Sequence, residues 1–574
     1  MFKFIAIIFL GLLSFTSCFS ANDLDKTLIK YYQENKVQGK NITVDDYGYV
    51  RRLYLDLAGR IPTTDEQKAF VLFQSPDKKT QLIDKLLFSE DYVNNFYNMF
   101  ADMLRVRPER LSDNTGQLRG YPYMQYVRDS LRSDKPYHVW VTEMLTATGR
   151  FTQNPATSYL LRDNGMGLDN LATTMQIFLG KNLACAQCHD DPFQDYSQKQ
   201  YYELFAFFGN QENRLNVVDY RKKQDDIDAG VKKITGQDRI DNNVRQLLSS
   251  NLYSISDDPK KQIRLPHDYQ YSDAKPNDIV LPVSLDRKIK TEDNRREKIA
   301  EWVTMQPDFA NTIANRIWSE IVGQPLVSPI DNFNINDTPE GKILQHLGDV
   351  LRNSNYSIKT LIRHIVTSDF YSRISFSGKP DEYKFQSVFL KRMSSYQLWD
   401  SILTLVLDDP NYTRINFQEY SKLVELDFEK IDAQMILDRV AAIRKYDEEL
   451  NKKFLKFKGI DLVRACFLLN RNGFTGIFTK EFGSSDRTLV DASDNQGSIS
   501  QVLLLMNSPL TELISSSESQ LIRSYIKENK NKEIIFMSIM GRLPTLAEKS
   551  IIATVDDKDL IWSLVNAREF LFRK

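Results

Sequence analysis

The residues of this sequence best suited to chemistry are Cys185-Ala186-Gln187-Cys188-His189. Two thiols three positions apart can form thioether links to the two vinyl groups of a haem. The adjacent imidazole then lies under the iron as its proximal ligand. The same side chains permit two other readings. In an oxidising compartment the cysteines can close on each other as a tight disulfide. With His189 they can also supply part of a zinc site, but zinc needs a fourth ligand, which Asp190 or Asp191 would have to provide. The leading expectation is one covalent haem c, bound through Cys185 and Cys188, with His189 on the iron. Ile177, Phe178 and Leu179 before the motif, and Phe193, Tyr196, Tyr201 and Tyr202 after it, supply the apolar and aromatic setting a haem requires.

The distal side of such an iron is open in the sequence. The first Met after His189 is Met305, beyond a long polar stretch, whereas Met166 and Met175 lie nearer, upstream. The other histidines are His138, His267, His346 and His364. His138 falls at a helix start. His364 sits in the apolar string Leu361-Ile362-Arg363-His364-Ile365, where a satisfied core or surface role is commoner than ligation. The spacing is not that of a small cytochrome c, and the iron could be five-coordinate.

Export supports haem attachment. Met1-Phe2-Lys3 carries one positive charge, and Phe4 to Leu13 is continuously apolar, too short to span a bilayer at about 20 residues but right for a signal-peptide core. Two processing routes are open. A signal peptidase could cut near Ser20 or Ala21. Alternatively, Phe15-Thr16-Ser17-Cys18 resembles a lipobox with Phe where Leu is usual, and Cys18 is then the lipidated residue. The expected location is the periplasm or cell envelope, with membrane attachment only through that lipid. The fourth cysteine, Cys466, lies in the apolar run Leu462 to Leu469 and reads as a buried structural thiol.

The chain that must position the motif has 574 residues, 42% hydrophobic and 26% charged, with a formal net charge of −1. Length alone implies at least two domains at roughly 100–200 residues each. The charge balance offers no footprint for nucleic acid. The dominant pattern is helical. Ser89 precedes an i, i+3, i+4, i+7 face of Tyr92, Val93, Phe96, Tyr97, Phe100, Met103 and Leu104. Leu168, Leu171, Met175, Phe178 and Leu179 form a similar face just before the motif, and Ser197 to Gln200 opens the next helix as a capping box. The expected fold is mainly α: two helical domains joined by a polar connector with a small β element. The divisions are a signal segment over 1–21, a helical domain carrying the motif over 24–210, the connector over 211–296 and a second helical domain over 297–574. Ile263-Arg264-Leu265-Pro266 and Ile279 to Val283 read as short strands bounded by Pro. Helices resume around Trp302, Ile313 and Trp318, one of them starting near Asn311.

A turn is repeated. Gly59-Arg60-Ile61-Pro62-Thr63-Thr64-Asp65-Glu66 recurs as Gly541-Arg542-Leu543-Pro544-Thr545-Leu546-Ala547-Glu548. In each, Gly ends a helix and Thr with Glu three residues on caps the next. A second string, Leu82-Ile83-x-x-Leu86-Leu87-x-Ser89 with Tyr92, recurs from Leu560 to Phe570 and again from Leu361 to Tyr371. The spacing is irregular, so this is a reused packing unit and not a solenoid.

With these residues in view the chain resembles a family of secreted planctomycete cytochrome-c-like proteins that pairs two domains of unknown function. The first domain's resemblance lies in Arg51 to Leu57, the Gly-x-x-Pro-Thr turn and the block from Phe178-Leu179-Gly180 to His189. The second's lies in Asn315-Arg316-Ile317-Trp318, Pro325 to Asp331 and Asn470 to Phe474. It departs at Asp191, where the family usually has His. The resemblance implies a single haem and a redox role of unsettled kind. The leading function is an exported mono-haem electron-transfer or redox-accessory protein with an unidentified redox partner. The alternative is a non-redox cell-envelope scaffold that holds a glycan or another exported protein, with the cysteine pair structural. No hydrolase motif stands out, no catalytic side chain is assigned, and whether the protein is an enzyme stays open. Arg316 is expected to pair with Asp331 and pin the Pro-bounded loop, or, with Asn315, to line a polar site.

Overall fold

The structure, a computed structural model, describes residues 23–37, 42–108, 119–163, 166–215, 217–291, 293–413, 417–468, 473–490 and 496–573. Among them are 28 α-helices and nine strands of two to five residues, so the architecture is mainly α. Among the described residues no helix is long and apolar enough to cross a membrane. Cys18 and Asn470 to Asn472 lie outside the described residues.

Helix boundaries follow the local chemistry. Ser89 Oγ accepts the Tyr92 N–H and starts the Glu90–Met103 helix, whose apolar stripe is wholly buried. Thr63 and Glu66 form a reciprocal capping box that starts Thr64–Leu72, and Thr545 and Glu548 do the same for Leu546–Thr554. Gly59 (φ 68°) and Gly541 (φ 70°) close the preceding helices in the left-handed conformation that glycine adopts without strain.

The repeat extends to an arginine that the pattern alone did not single out. Arg60 forks onto Glu66 at 2.8 Å and onto Asp91 at 2.9–3.0 Å. Arg542 forks in the same way onto Glu548 and Glu569 at 2.7–2.9 Å. Asp91 and Glu569 occupy matching places, each directly before the aromatic residue that ends the second string. The copies differ in depth: the Arg60 side chain is 4% exposed and that of Arg542 is 29% exposed.

The Asp46–Leu53 helix and the π-helical turn Tyr54–Ala58 hold the other copies together. Arg51 donates to the Phe570 carbonyl, and Arg52 to the carbonyls of Tyr371 and Arg373. Asp56 accepts from Arg573 and from the Tyr371 hydroxyl, both at 2.7 Å. Arg51, Arg52, Asp56 and Arg573 are all buried. An ion pair this deep is the more stable the more of its remaining lone pairs and protons are satisfied. Here the carbonyls of Ile321, Val322 and Phe389 accept from the two Arg573 Nη atoms, while its buried Nε has no partner among the described residues.

Among the described residues two large hydrophobic cores result, with a small third cluster around Leu265, Tyr269 and Val280. The larger runs without a break from Leu24 through Phe178, Leu247 and Phe309 to Phe467. The second gathers Trp399, Phe478, Ile535, Ile561 and Phe570 around Leu55 and Ile61. The π-helical turn Tyr54–Ala58 therefore contributes to both, with Leu57 and Ala58 in the first and Leu55 in the second.

The polar stretch after residue 211 is more structured than its composition suggests. It contains the helices Tyr220–Thr235 and Asn242–Ser250 and a three-stranded antiparallel sheet in which Tyr253–Asp257 lies between Gly149–Arg150 and Gln211–Arg214. Tyr220–Thr235 buries only Ile227 and Val231, which is why no apolar stripe announced it. The two expected strands pair as Ile263–Arg264 with Ile279–Val280. The helix expected from Asn311 begins instead at Pro307, a residue preorganised for a first helical position.

Candidate functional site

The Gly167–Leu179 helix ends at Gly180, whose φ of 58° lies in the left-handed region. A β-carbon there would sit 2.5 Å from the Phe333 ring, so glycine is required twice over. The chain then makes the 3-10 turn Ala184–Gln187, with Leu183 and Ala186 buried as anchors. Side chains at i and i+3 of a 3-10 turn eclipse. Cys185 and Cys188 therefore share one side, and both are free and exposed. The Cys188 and His189 amides both donate to the Cys185 carbonyl, at 3.2 and 3.4 Å, which closes the motif on itself.

His189 is exposed, and its Nδ1 lies 2.7 Å from the Asp190 carbonyl. As the donor to that carbonyl, Nδ1 carries the proton and Nε2 is left with its lone pair for a ligand. Asp190 is also held from outside the motif. Its amide donates to the Tyr271 hydroxyl at 2.7 Å, and its carboxylate accepts the Gln198 amide at 2.8 Å. The buried Gln198 side chain reaches back to the Cys188 carbonyl at 2.9 Å. Asp191 accepts the amides of Phe193 and Gln194 at 2.8 and 3.1 Å and caps its own turn. Phe193 projects into solvent, 88% exposed.

An aromatic wall flanks the motif. Tyr202 packs with Tyr269 and Tyr271 around Leu265 and Val280. Burial, then the nearby Cys188 and Asp268, raises the Tyr202 phenol above its ordinary range. Burial and a 2.6 Å bond to Asp273 do the same for Tyr269.

Residues 325–333 meet the end of the Gly167–Leu179 helix directly ahead of the motif. The Phe333 amide donates to the Gly180 carbonyl at 3.2 Å, and Gln176 donates to Asp331 at 2.7 Å. Lys181 pairs with Asp308 at 2.8 Å. Asp331 thus reaches across to the helix that precedes the motif. Asn315 and Arg316, expected beside the apolar face, are buried, and Asn315 holds the loop by bonding the Leu326 amide and the Val327 carbonyl at 2.8 and 2.7 Å. Arg316 lies beside Tyr137. Trp318 is fully buried and stacks on Phe370 at 5.3 Å.

The donor set fits an attached haem: two free thiols on one side of a turn, and an imidazole bonded through Nδ1. Of the distal candidates, Met175 is buried in the larger core, while Met166 and Met305 are exposed. His138 stands 4.8 Å from the Tyr356 ring, and His346 and His364 bond each other through Nε2 at 3.0 Å. His267 is exposed on the same hairpin as Tyr271. Among the described residues no group of three His, Cys, Asp or Glu is placed to hold a metal ion, and Asp190 and Asp191 are engaged in backbone contacts. Cys466 is buried, and burial pushes its thiol up to about 11.

Sequence reasoning missed Gln198 and Tyr271. Gln198 was visible as the opening of a capped helix but not as a partner of the motif. Tyr271 comes from 81 residues beyond Asp190, and no local pattern records that meeting.

Neither a curated protein nor a solved structure matches this chain. Residues 23–213 match PSCyt2, a protein of unknown function (DUF1549), and residues 295–555 match PSD1, a protein of unknown function (DUF1553). The chain therefore carries the two-part, planctomycete-type pairing of these domains of unknown function.

Proposed function

We propose that this chain is an exported mono-haem c-type protein serving electron transfer or an accessory redox role. The observation that carries the reading is the 2.7 Å bond from His189 Nδ1 to the Asp190 carbonyl, beside two exposed free thiols on one turn. When bound, haem supplies a one-electron redox centre. Cys185 and Cys188 would hold it covalently, and His189 would present Nε2 to the iron. The exposed setting suits exchange with a partner protein in the periplasm or envelope, where a lipid on Cys18 would tether the chain. The test is an optical spectrum and a haem stain of denatured protein from a host with c-type maturation. Stain that persists in the parent and vanishes in the Cys185→Ala/Cys188→Ala variant is expected. A colourless parent, with the two thiols oxidised to each other, refutes it.

A non-redox envelope scaffold is the second reading. It is favoured by a cleft of about 400 Å³ beside the Tyr121–Arg132 and Gln418–Val424 helices, where the rings of Tyr126 and Phe417 lie with the amides of Gln125, Gln153 and Gln418. Such a lining suits a neutral glycan. A colourless protein that retains an exported polysaccharide would establish this reading over the first.

A further inference from the structure

We infer that Tyr271 is a positioning residue for the His189 imidazole, an inference that rests on haem attachment at the motif. Cys185, Cys188, His189 and Asp190 are all exposed, so packing does not fix the ring. Its orientation is set by the bond from Nδ1 to the Asp190 carbonyl. That carbonyl is only as well placed as the Asp190 backbone. Two outside bonds hold this backbone: Gln198 N–H to the carboxylate, and Tyr271 Oη accepting the amide proton.

Tyr271 is itself well supported. Its ring meets Tyr269 edge-on at 5.4 Å, and Tyr269 is buried against Leu265 and Val280. The Tyr269 hydroxyl bonds Asp273 at 2.6 Å, and Lys199 clamps the same hairpin to the Gln198–Phe205 helix by donating to the Asp273 carbonyl at 3.0 Å. The hairpin is thus braced on the helix that follows the motif. It places one hydroxyl on the residue that orients the ligand.

Partners that bond to a metal-ligating imidazole tune its basicity, and losing one typically changes affinity about 10–100-fold. Without the Tyr271 hydroxyl the Asp190 backbone relaxes and the Nδ1 bond lengthens. The imidazole then donates less electron density to the iron, and the ferric state loses more than the ferrous. The reduction potential rises. A tenfold change in the relative affinity for the two oxidation states is about 59 mV for a one-electron couple.

The experiment uses the full chain made with c-type haem maturation and compares the parent, Tyr271→Phe and Tyr269→Phe. Tyr269→Phe keeps the ring packed on Tyr271 and the Lys199 clamp on the Asp273 carbonyl, and removes only a hydroxyl that does not bond Asp190. Tyr271→Phe is expected to keep the parent's haem content, to raise the potential by about 59 mV or more and to lower the Fe–His stretching frequency. Tyr269→Phe is expected to leave both near the parent's values. In the haem-free chain, exchange of the Asp190 amide proton should accelerate at least tenfold in Tyr271→Phe, since that bond is its protection. An unchanged potential and Fe–His band in Tyr271→Phe overturns the inference, as does an equal shift in Tyr269→Phe or unaltered Asp190 exchange. A parent that takes up no haem refutes the attachment reading itself, a result separable from all of these.

Discussion

The duplicated arginine turn offers a comparison within one molecule. Arg60→Met and Arg542→Met remove the same fork of bonds from the same capped turn, but in different surroundings. The Arg60 side chain is 4% exposed and that of Asp91 9%, whereas Arg542, Glu548 and Glu569 are 29%, 31% and 22% exposed. Breaking a buried pair by removing one partner costs about 3–5 kcal/mol, because the surviving charge is left without compensation. Arg60→Met should fall at the lower end, about 3 kcal/mol, because Asp91 keeps Arg464 and Asn411 as partners. Partly exposed pairs are worth about 0.2–1 kcal/mol each. Arg542→Met, which breaks two, should therefore cost about 1 kcal/mol. Equilibrium urea unfolding of both variants, followed by tryptophan fluorescence and by circular dichroism, measures the difference. Equal losses, or a larger loss for Arg542→Met, would refute the argument that burial sets the value of this turn.

Thr63→Ala and Thr545→Ala should each cost about 1 kcal/mol, through the loss of a capping box; no change in unfolding midpoint would show that the caps are not needed. Burial, and then the neighbouring His346, lowers His364 to about 4. The unfolded chain therefore binds more protons between its ordinary value near 6.5 and about 4. Stability from this group is full above the upper value and falls with pH through that window; His364→Gln should flatten the pH dependence of the melting temperature there, and an unaltered profile would count against it. In haem-free protein a thiol reagent should modify Cys185 and Cys188 at once and Cys466 only after denaturation, because burial keeps that thiol protonated; rapid native labelling of Cys466 would contradict its burial.

Several features were legible in the sequence because their causes are local. Ser89, Thr63, Ser197 and Thr545 cap helices through bonds that span three residues, and Gly59 and Gly541 end helices because they alone tolerate positive φ without strain. The three-residue spacing of Cys185 and Cys188 is local in the same sense, whereas the 3-10 turn that brings both thiols to one side was not read from the sequence. The helices Tyr220–Thr235 and Asn242–Ser250 were not legible, since so little of the first faces the core.

The chain by itself thus determined the helical class, the capped turns and the motif's residue types, all of which depend on neighbours a few positions apart. Tertiary structure alone decided the rest. It sent Asp331 to Gln176, spent Asn315 on the Leu326–Val327 backbone, joined His346 to His364 and placed the Tyr271 hydroxyl on Asp190. It also decided that Arg60 is buried while Arg542 is not. The physical reason is that desolvation and hydrogen-bond geometry across hundreds of residues depend on which surfaces pack together, and no periodicity or spacing along the chain encodes that.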